Sequence, residues 1–366
     1  MNQDNIDLAI VFSTTHYPPQ KTLSVLTTIL NTTKIIGASS AGIILSDAVK
    51  TKGIAVLTLS SNEIEFGTGS LNYLQDQDSF AAGNLLAQNT LTHYDSRGRQ
   101  AFLYFSDTKI PNYTQFLKGI QSVFGNVFPI VGAGLSNNFR FQETFQIYQN
   151  EIMNNSAVGI IIGGHVSIGL GSRHGWKPLG KPRFIDQSEN NVIKTIDGKK
   201  ASLIYQDFFD QEADKFLSNR SSALSLLYPL GIHIEGSQEY LLKNTSKILA
   251  DGSLIIQGHV PVGSRIHLMI GNKDSCRQAA YDAAQEAHKN LNGKEPNLVL
   301  VIESMTRLKL LSRSAFQEIK KIKEIFGTTV PIIGLYSNGE VSPLQATDRF
   351  KSPVLQNESI VIMAIS

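Results

Sequence analysis

The chain has 366 residues, 42% of them hydrophobic and 17% charged, with a formal net charge of +2. That balance excludes a disordered chain, supplies apolar material for two domains, and gives no charge argument for nucleic acid or an anionic membrane as partner. One cysteine, Cys276, excludes an internal disulfide, and no apolar run approaches the ~20 residues of a bilayer span.

One pattern recurs along the sequence: an apolar strand, a helix, then a second apolar strand that breaks into Gly, Ser and Asn. The first copy runs from Leu8 to Gly42, with Leu23, Leu26, Ile29 and Leu30 as the helical stripe. A helix from Asp78 to Asn89 precedes the second copy, which runs from Ala101 to Asn138. Its helix carries Phe116, Leu117, Ile120, Val123 and Phe124 at helical spacing, closed by Gly125. Asp197-Gly198 marks a turn, and a helix is expected from about Lys200 to Leu217. Asn219 to Ser222 is the expected domain boundary, giving domains 1–220 and 221–366. A helix from Asp274 to Leu291 buries Cys276 in a stripe of alanines and precedes the third copy, from Leu298 to Gly339. There Ser314 and Gln317 have the spacing of a capping box for a helix bearing Phe316, Ile319, Ile322, Ile325 and Phe326.

After the loops the chain is expected to return as β hairpins: 54–59 with 64–66, 157–162 with 165–170, and 254–260 with 265–270. The last strand is Ile360 to Ile365. The fold class is therefore α/β, α+β mixed: mixed sheets flanked by helices, built from about three related β-α-β-hairpin units.

These segments resemble the FIST family, a sensory module of bacterial signalling proteins. The resemblance covers nearly the whole chain, as an N-terminal and a C-terminal domain. It rests on Gly37 to Gly42, Phe128 to Phe141, His174 to Gly180, Tyr228 to Gly231, Gly258 to Gly263, Gly334 to Val341 and Asn357 to Ser359. The chain has Ala38 and Ile43 where the family often has Cys and Glu, and Asn137 and Asn138 where acids are frequent. It has Ser304 with Arg307 in place of a Cys and Arg pair, and Lys243 in place of an Arg. The resemblance implies binding of small molecules, amino acids being the usual proposal.

A strand ending in Gly-x-Ser-x-x-Gly exposes main-chain N–H groups beside hydroxyls, and can hold an anion if the loops converge. The candidate ligand residues are Ser39, Ser40, Gly42, Ser136, Asn137, Trp176, Lys243, Ser304, Arg307, Tyr336, Ser337, Asn338 and Glu340. Arg307 or Lys243 would pair with a carboxylate, Glu340 with an ammonium group, and Trp176 or Tyr336 would form an apolar wall. Ordinary turn chemistry and core packing explain the same residues without a ligand.

Ser40 sits as in a nucleophile elbow, but no helical pattern follows it. Gly132-Ala133-Gly134 lacks the third glycine of a dinucleotide fingerprint. The eight histidines show no metal spacing; His165 and His174 could meet with Glu143 across strands. The expectation is a cytoplasmic sensory protein with no cofactor, metal, catalytic residue, nucleic acid or membrane insertion, passing its signal to a downstream protein. The alternatives are a metabolite-processing enzyme, a hydrolase or transferase using Ser40, Ser304 or Glu303, and a protein-interaction scaffold.

Overall fold

Strands joined through a helix crossover lie parallel, and the apolar pattern above yields three such pairs. The computed structural model describes residues 6–30, 32–92, 94, 98–136, 143–209, 227–237, 239–344 and 352–366. In it β1 (Leu8–Thr14) lies beside β2 (Ile35–Ser40), β3 (Arg99–Ser106) beside β4 (Ile130–Gly134), and β5 (Leu298–Ser304) beside β6 (Ile332–Ser337). Each pair belongs to a separate mixed sheet. Each first strand has an antiparallel neighbour: Ile54–Leu59 on β1, Ala157–Gly164 on β3 and Ile360–Ile365 on β5.

The strand after each Gly/Ser loop pairs elsewhere. Ile43–Leu45, which follows β2, pairs with β6, with Ile44 opposite Gly334. Gln146–Tyr148, which follows β4, pairs with β2, with Ile147 opposite Gly37. Glu340–Pro343, which follows β6, pairs with β4, with Val341 opposite Gly132. The segments thus exchange strands in a cycle and do not close into self-contained units.

The three sheets face one shared core. Phe12, Leu103, Phe105, Leu300, Ile302 and Met363 meet there, with Phe12 edge-on to Phe105 at 5.4 Å. Both faces of β1, β3 and β5 are buried, which explains their unbroken apolar runs. Outside, Leu23 of α1 (Pro19–Ile29) covers Ala9 and Val11. The helices α2 (Ser79–Leu91) and α3 (Tyr113–Phe124) cover Phe102 and Tyr104. A separate antiparallel sheet built on Lys177–Glu189 and Arg265–Ile270 has its own core, including Ile185, Tyr205 and Leu268, with α4 (Leu203–Phe209) against it. On the third sheet lie α5 (Lys273–Lys289), α6 (Met305–Leu311) and α7 (Phe316–Phe326), over Val299 and Val301.

None of the three expected hairpins forms. Ile54–Leu59 pairs with β1, whereas Ile64–Leu71 pairs with Ala157–Gly164 in another sheet. Ile168–Arg173 joins Ile360–Ile365, and Arg265–Ile270 joins Lys177–Glu189 while Leu254–Ile256 pairs with Val192–Ile196. The reason is ladder length: the eight-residue strand Ile64–Leu71 finds a full-length antiparallel neighbour in Ala157–Gly164, in the same sheet as β3. The capping box is also absent. Ser314 Oγ donates to Leu311 O at 2.7 Å, because a 3₁₀ turn at Ser312–Ser314 leads directly into α7. The expected boundary at Asn219 to Ser222, and the end of the helix expected to reach Leu217, lie outside the described residues.

The helices α2 and α3 cross where each offers a glycine. A Cβ on Gly83 would strike the carbonyl of Phe116, and one on Gly119 the carbonyl of Phe80. Gly119→Ala is therefore expected to lower stability by about 1–3 kcal/mol, the range for an overpacked core. Urea unfolding with an unchanged m-value checks this; a wild-type midpoint would show that the helices can separate freely.

Candidate functional site

Two serines tie the ends of the three parallel pairs together. Ser40 Oγ, at the end of β2, accepts from Tyr336 N of β6 at 2.9 Å and donates to Gly42 O at 2.5 Å. Ser136 Oγ, just past β4, donates to Tyr336 O at 2.5 Å and accepts from Ala41 N at 3.0 Å. Asn338 and Gly134 complete the seam, Asn338 N donating to Gly134 O at 2.9 Å. The loops do converge, but the two serine hydroxyls are taken up by main-chain groups of the seam, and Ser40, Ser136 and Tyr336 are all buried. Gly42 packs against the Tyr336 ring. A nucleophile elbow is absent: the strand Ile43–Leu45 follows Ser40. Ser39 bonds to the segment that follows β4, its Oγ accepting from Phe145 N at 3.0 Å.

Beside the seam lies a buried ionic cluster. The Arg307 side chain, wholly buried on α6, donates to the carboxylate of Glu318 and to the carbonyls of His174, Cys276 (3.0 Å) and Glu358 (3.3 Å). Its Nε lies 3.4 Å from Glu303. Trp176 is buried with its ring centroid 6.0 Å from the guanidinium and its Nε1 donating to Leu227 O. Glu340 accepts from Ser337 Oγ at 2.6 Å, Gly339 N at 3.2 Å and Ser359 N at 3.2 Å. Ser304 caps α6, its Oγ accepting from Thr306 N. Arg307 and Glu340, expected to clasp a zwitterion, are thus engaged with protein groups, because burial leaves no solvent to satisfy them.

Four buried carboxyl groups, Glu303, Glu318, Glu340 and Glu358, share this region with one guanidinium. Burial pushes Glu340 up to about 8, against the hydrogen bonds from Ser337, Ser359 and Gly339. Burial likewise pushes Glu358 up to about 8. Burial and the neighbouring Glu318 hold Glu303 well above the usual range. These groups keep protons at neutral pH that exposed glutamates lose. Cys276, also buried, is pushed up to about 12, which removes it as a nucleophile. The ring of His174 faces Glu239 at 3.1 Å, not Glu143.

A cavity of about 480 Å³ opens on the other side of the seam. One wall is the first turn of α3, where Asn112 Oδ1 caps Gln115 N at 3.2 Å. The facing wall includes Asn190, Gln257, Gly258 and His259, and Asn338 forms its inner end, with Oδ1 3.4 Å from Gln257 Nε2. No Asp or Glu lines it among the described residues. Lys243 lies behind Gly258, with Nζ donating to Leu355 O at 2.7 Å.

The structure therefore divides the sequence-derived candidates. Ser40, Gly42, Ser136 and Tyr336 meet at the seam; Trp176, Ser304, Arg307, Ser337 and Glu340 form the ionic cluster and its surroundings; Asn338 lines the cavity, and Lys243 is buried behind Gly258 without lining it. Asn137 lies outside the described residues. Sequence reasoning missed Glu318, although it occupies a buried position in the stripe of α7. It also missed Asn112, whose place after Pro111 and before a helical stripe is an N-cap signal.

Residues 7–199 match the family model of the FIST N domain, and residues 201–343 that of the FIST C domain. An uncharacterized protein of Methanocaldococcus jannaschii is 23% identical over 203 residues, 53% of this chain and 38% of that protein. The match thus spans well under half of the relative's length. Among solved structures, a chorismatase aligns with 100% of this chain and 95% of its own at 6% identity and a TM-score of 0.37. Phosphoribosylformylglycinamidine synthase II of Thermotoga maritima aligns over 89% and 73% at 11% identity and a TM-score of 0.26. Likenesses that weak carry no argument about activity.

The buried carboxyls set a pH dependence. Their folded pKa values lie above the unfolded ones, so the folded state holds more protons and stability falls as pH rises from about 4.5 toward 8. Between pH 5.5 and 7 each such group is expected to cost up to about 1.4 kcal/mol per pH unit. Glu358→Gln should flatten that slope in denaturant unfolding; an identical slope in the variant would show that Glu358 ionises as in the unfolded chain.

Proposed function

The chain belongs to the FIST family, and on that premise we propose that it is a sensory protein that binds a small carboxylate, amino acids included, in the cavity beside the seam. FIST domains are associated with sensory functions in signal transduction. The observation that carries the assignment is the cavity itself. Its volume, about 480 Å³, falls in the ~300–1,000 Å³ range of small-molecule sites. Its lining comes from both matched halves, residues 108, 110–115, 118, 190 and 191 from one and residues 246, 256–259 and 338 from the other, with Leu355 beyond them.

The wall sets amides and hydroxyls, which recognise a polar ligand by hydrogen bonds, among apolar side chains such as Ile110, Ile256 and Leu355, with the positive end of α3 facing it. The ligand leaves unchanged in this reading. Support comes from the Ser40 hydroxyl, which bonds main-chain groups and no side-chain base among the described residues, and from burial that holds the Cys276 thiol protonated. Signal passes to a partner protein in the cytoplasm, a setting that a single buried thiol fits.

A thermal-shift screen of amino acids and small carboxylates should raise the melting temperature, as binding to the folded state adds about 2.7 kcal/mol at a hundredfold excess over Kd. Asn338→Ala and Gln257→Ala should each reduce that shift. A ligand whose stabilisation survives both substitutions binds elsewhere, and the assignment of the cavity fails.

A further inference from the structure

We propose that Asn357 is a positioning residue that fixes the polarity of the side-chain amides at the inner end of the cavity, so that Asn338 and Gln257 present N–H donors there and hold a ligand by its carboxylate. The inference rests on the cavity being the ligand site. It deepens that reading by assigning the acid group to one end and naming the residue that sets its polarity.

A side-chain amide has a donor end and an acceptor end, and half a turn of the group exchanges them. A partner of fixed polarity decides which way it points. Here that partner is the main-chain N–H of Asn244, which can only donate, and it donates to Asn357 Oδ1 at 3.0 Å. The oxygen of Asn357 is thereby committed, and its Nδ2 donates to Gln257 Oε1 at 2.5 Å. Gln257 must then turn its nitrogen toward Asn338, and Nε2 lies 3.4 Å from Asn338 Oδ1. The anchor is firm. Asn244 O also accepts from Gln257 N at 3.0 Å, and both Asn244 and Asn357 are buried.

The relay ends at the cavity, which Gln257 and Asn338 line and Asn357 does not. With its oxygen turned toward Gln257, Asn338 has Nδ2 left as a donor, and no group accepts from it among the described residues. Gln257 Nε2 has a second proton beyond the one aimed at Asn338. Asn112, on the α3 wall, has the same polarity, because its Oδ1 is spent on capping the helix. Asn191 has the reverse one: its Nδ2 donates to Ile256 O at 3.4 Å and its oxygen remains. Donor character therefore belongs to the Asn338 end and not to every amide of the lining. A carboxylate accepts from such donors with both oxygens. An ammonium group only donates, and at this end it meets N–H against N–H.

Calorimetry and crystal soaks test this. Succinate and benzoate, each titrated against the amine of matching shape (diaminobutane, benzylamine), should show at least a tenfold preference for an acid. Asn357→Ala removes the donor that holds Gln257 and should narrow that preference at least threefold. Asn357→Asp keeps the shape but turns an acceptor toward Gln257; both amides then rotate, and the amine should bind in place of the acid. Gln257→Met, at a half-buried position, cuts the same relay and should narrow the preference even where a buried variant fails to fold. Crystals soaked in bromide should hold the anion beside Asn338 Nδ2, and crystals soaked in rubidium should hold no cation there. An acid weakened by Asn338→Ala, yet preferred in the relay variants as strongly as in wild type, overturns the role of Asn357 and leaves the cavity assignment standing. Equal loss of acid and amine in those variants marks a purely structural role and overturns it too. An acid insensitive to Asn338→Ala binds elsewhere and overturns the cavity assignment. If neither acid binds, the soaks decide: rubidium at the inner end, or neither ion, sinks the inference.

Discussion

The fold depends on how three buried strand ends satisfy their main-chain groups. A parallel strand pair that stops inside a protein leaves N–H and C=O groups without a ladder partner, and an unpaired buried amide costs as much as a lost hydrogen bond. Here two serine hydroxyls bridge the gap, each serving as both donor and acceptor to the backbone of another of the three segments. Only a small residue with a hydroxyl does this at so close an approach. The Gly/Ser composition of the loops is therefore first a requirement of closure. The cavity lies beside that closure and depends on it, because Asn338 is held by the seam through Gly134.

Electrostatics separates the two neighbouring regions. On one side, four buried carboxyl groups share a region with a single guanidinium, and burial raises Glu303, Glu340 and Glu358 so that they hold protons. On the other, Lys243 is buried with no carboxylate paired to it among the described residues, and burial pulls its ammonium down to about 7. Both departures have the same physical origin, the cost of charge away from water. They have opposite signs because the group that is poor in partners differs.

Much of the fold was legible. The strands β1, β3 and β5, the stripes of α3 and α7, and the closing glycines Gly125 and Gly327 follow from local periodicity and positive φ. The mixed sheets also follow from it. Strand partnership did not, because the ladder between Ile64–Leu71 and Ala157–Gly164 is fixed by a core more than eighty residues away in sequence, not by the turn at residues 60–63. At the site, the Gly/Ser loops and Arg307 were visible as residues capable of binding. What was not visible is that burial commits them to one another. Asn112, Asn190 and Gln257 are ordinary surface-type residues until the chain brings them to a common hollow.

The cyclic loan of strands has a consequence for assembly. Because Ile43–Leu45 lies against β6 near the other end of the chain, and Glu340–Pro343 lies against β4, the two matched halves are interleaved. Synthesis of the first half leaves an apolar edge waiting for residues translated much later. Such long-range closure slows folding and exposes sticky intermediates. It also means that a displacement of either borrowed strand is felt in both halves at once, because each half completes a sheet of the other.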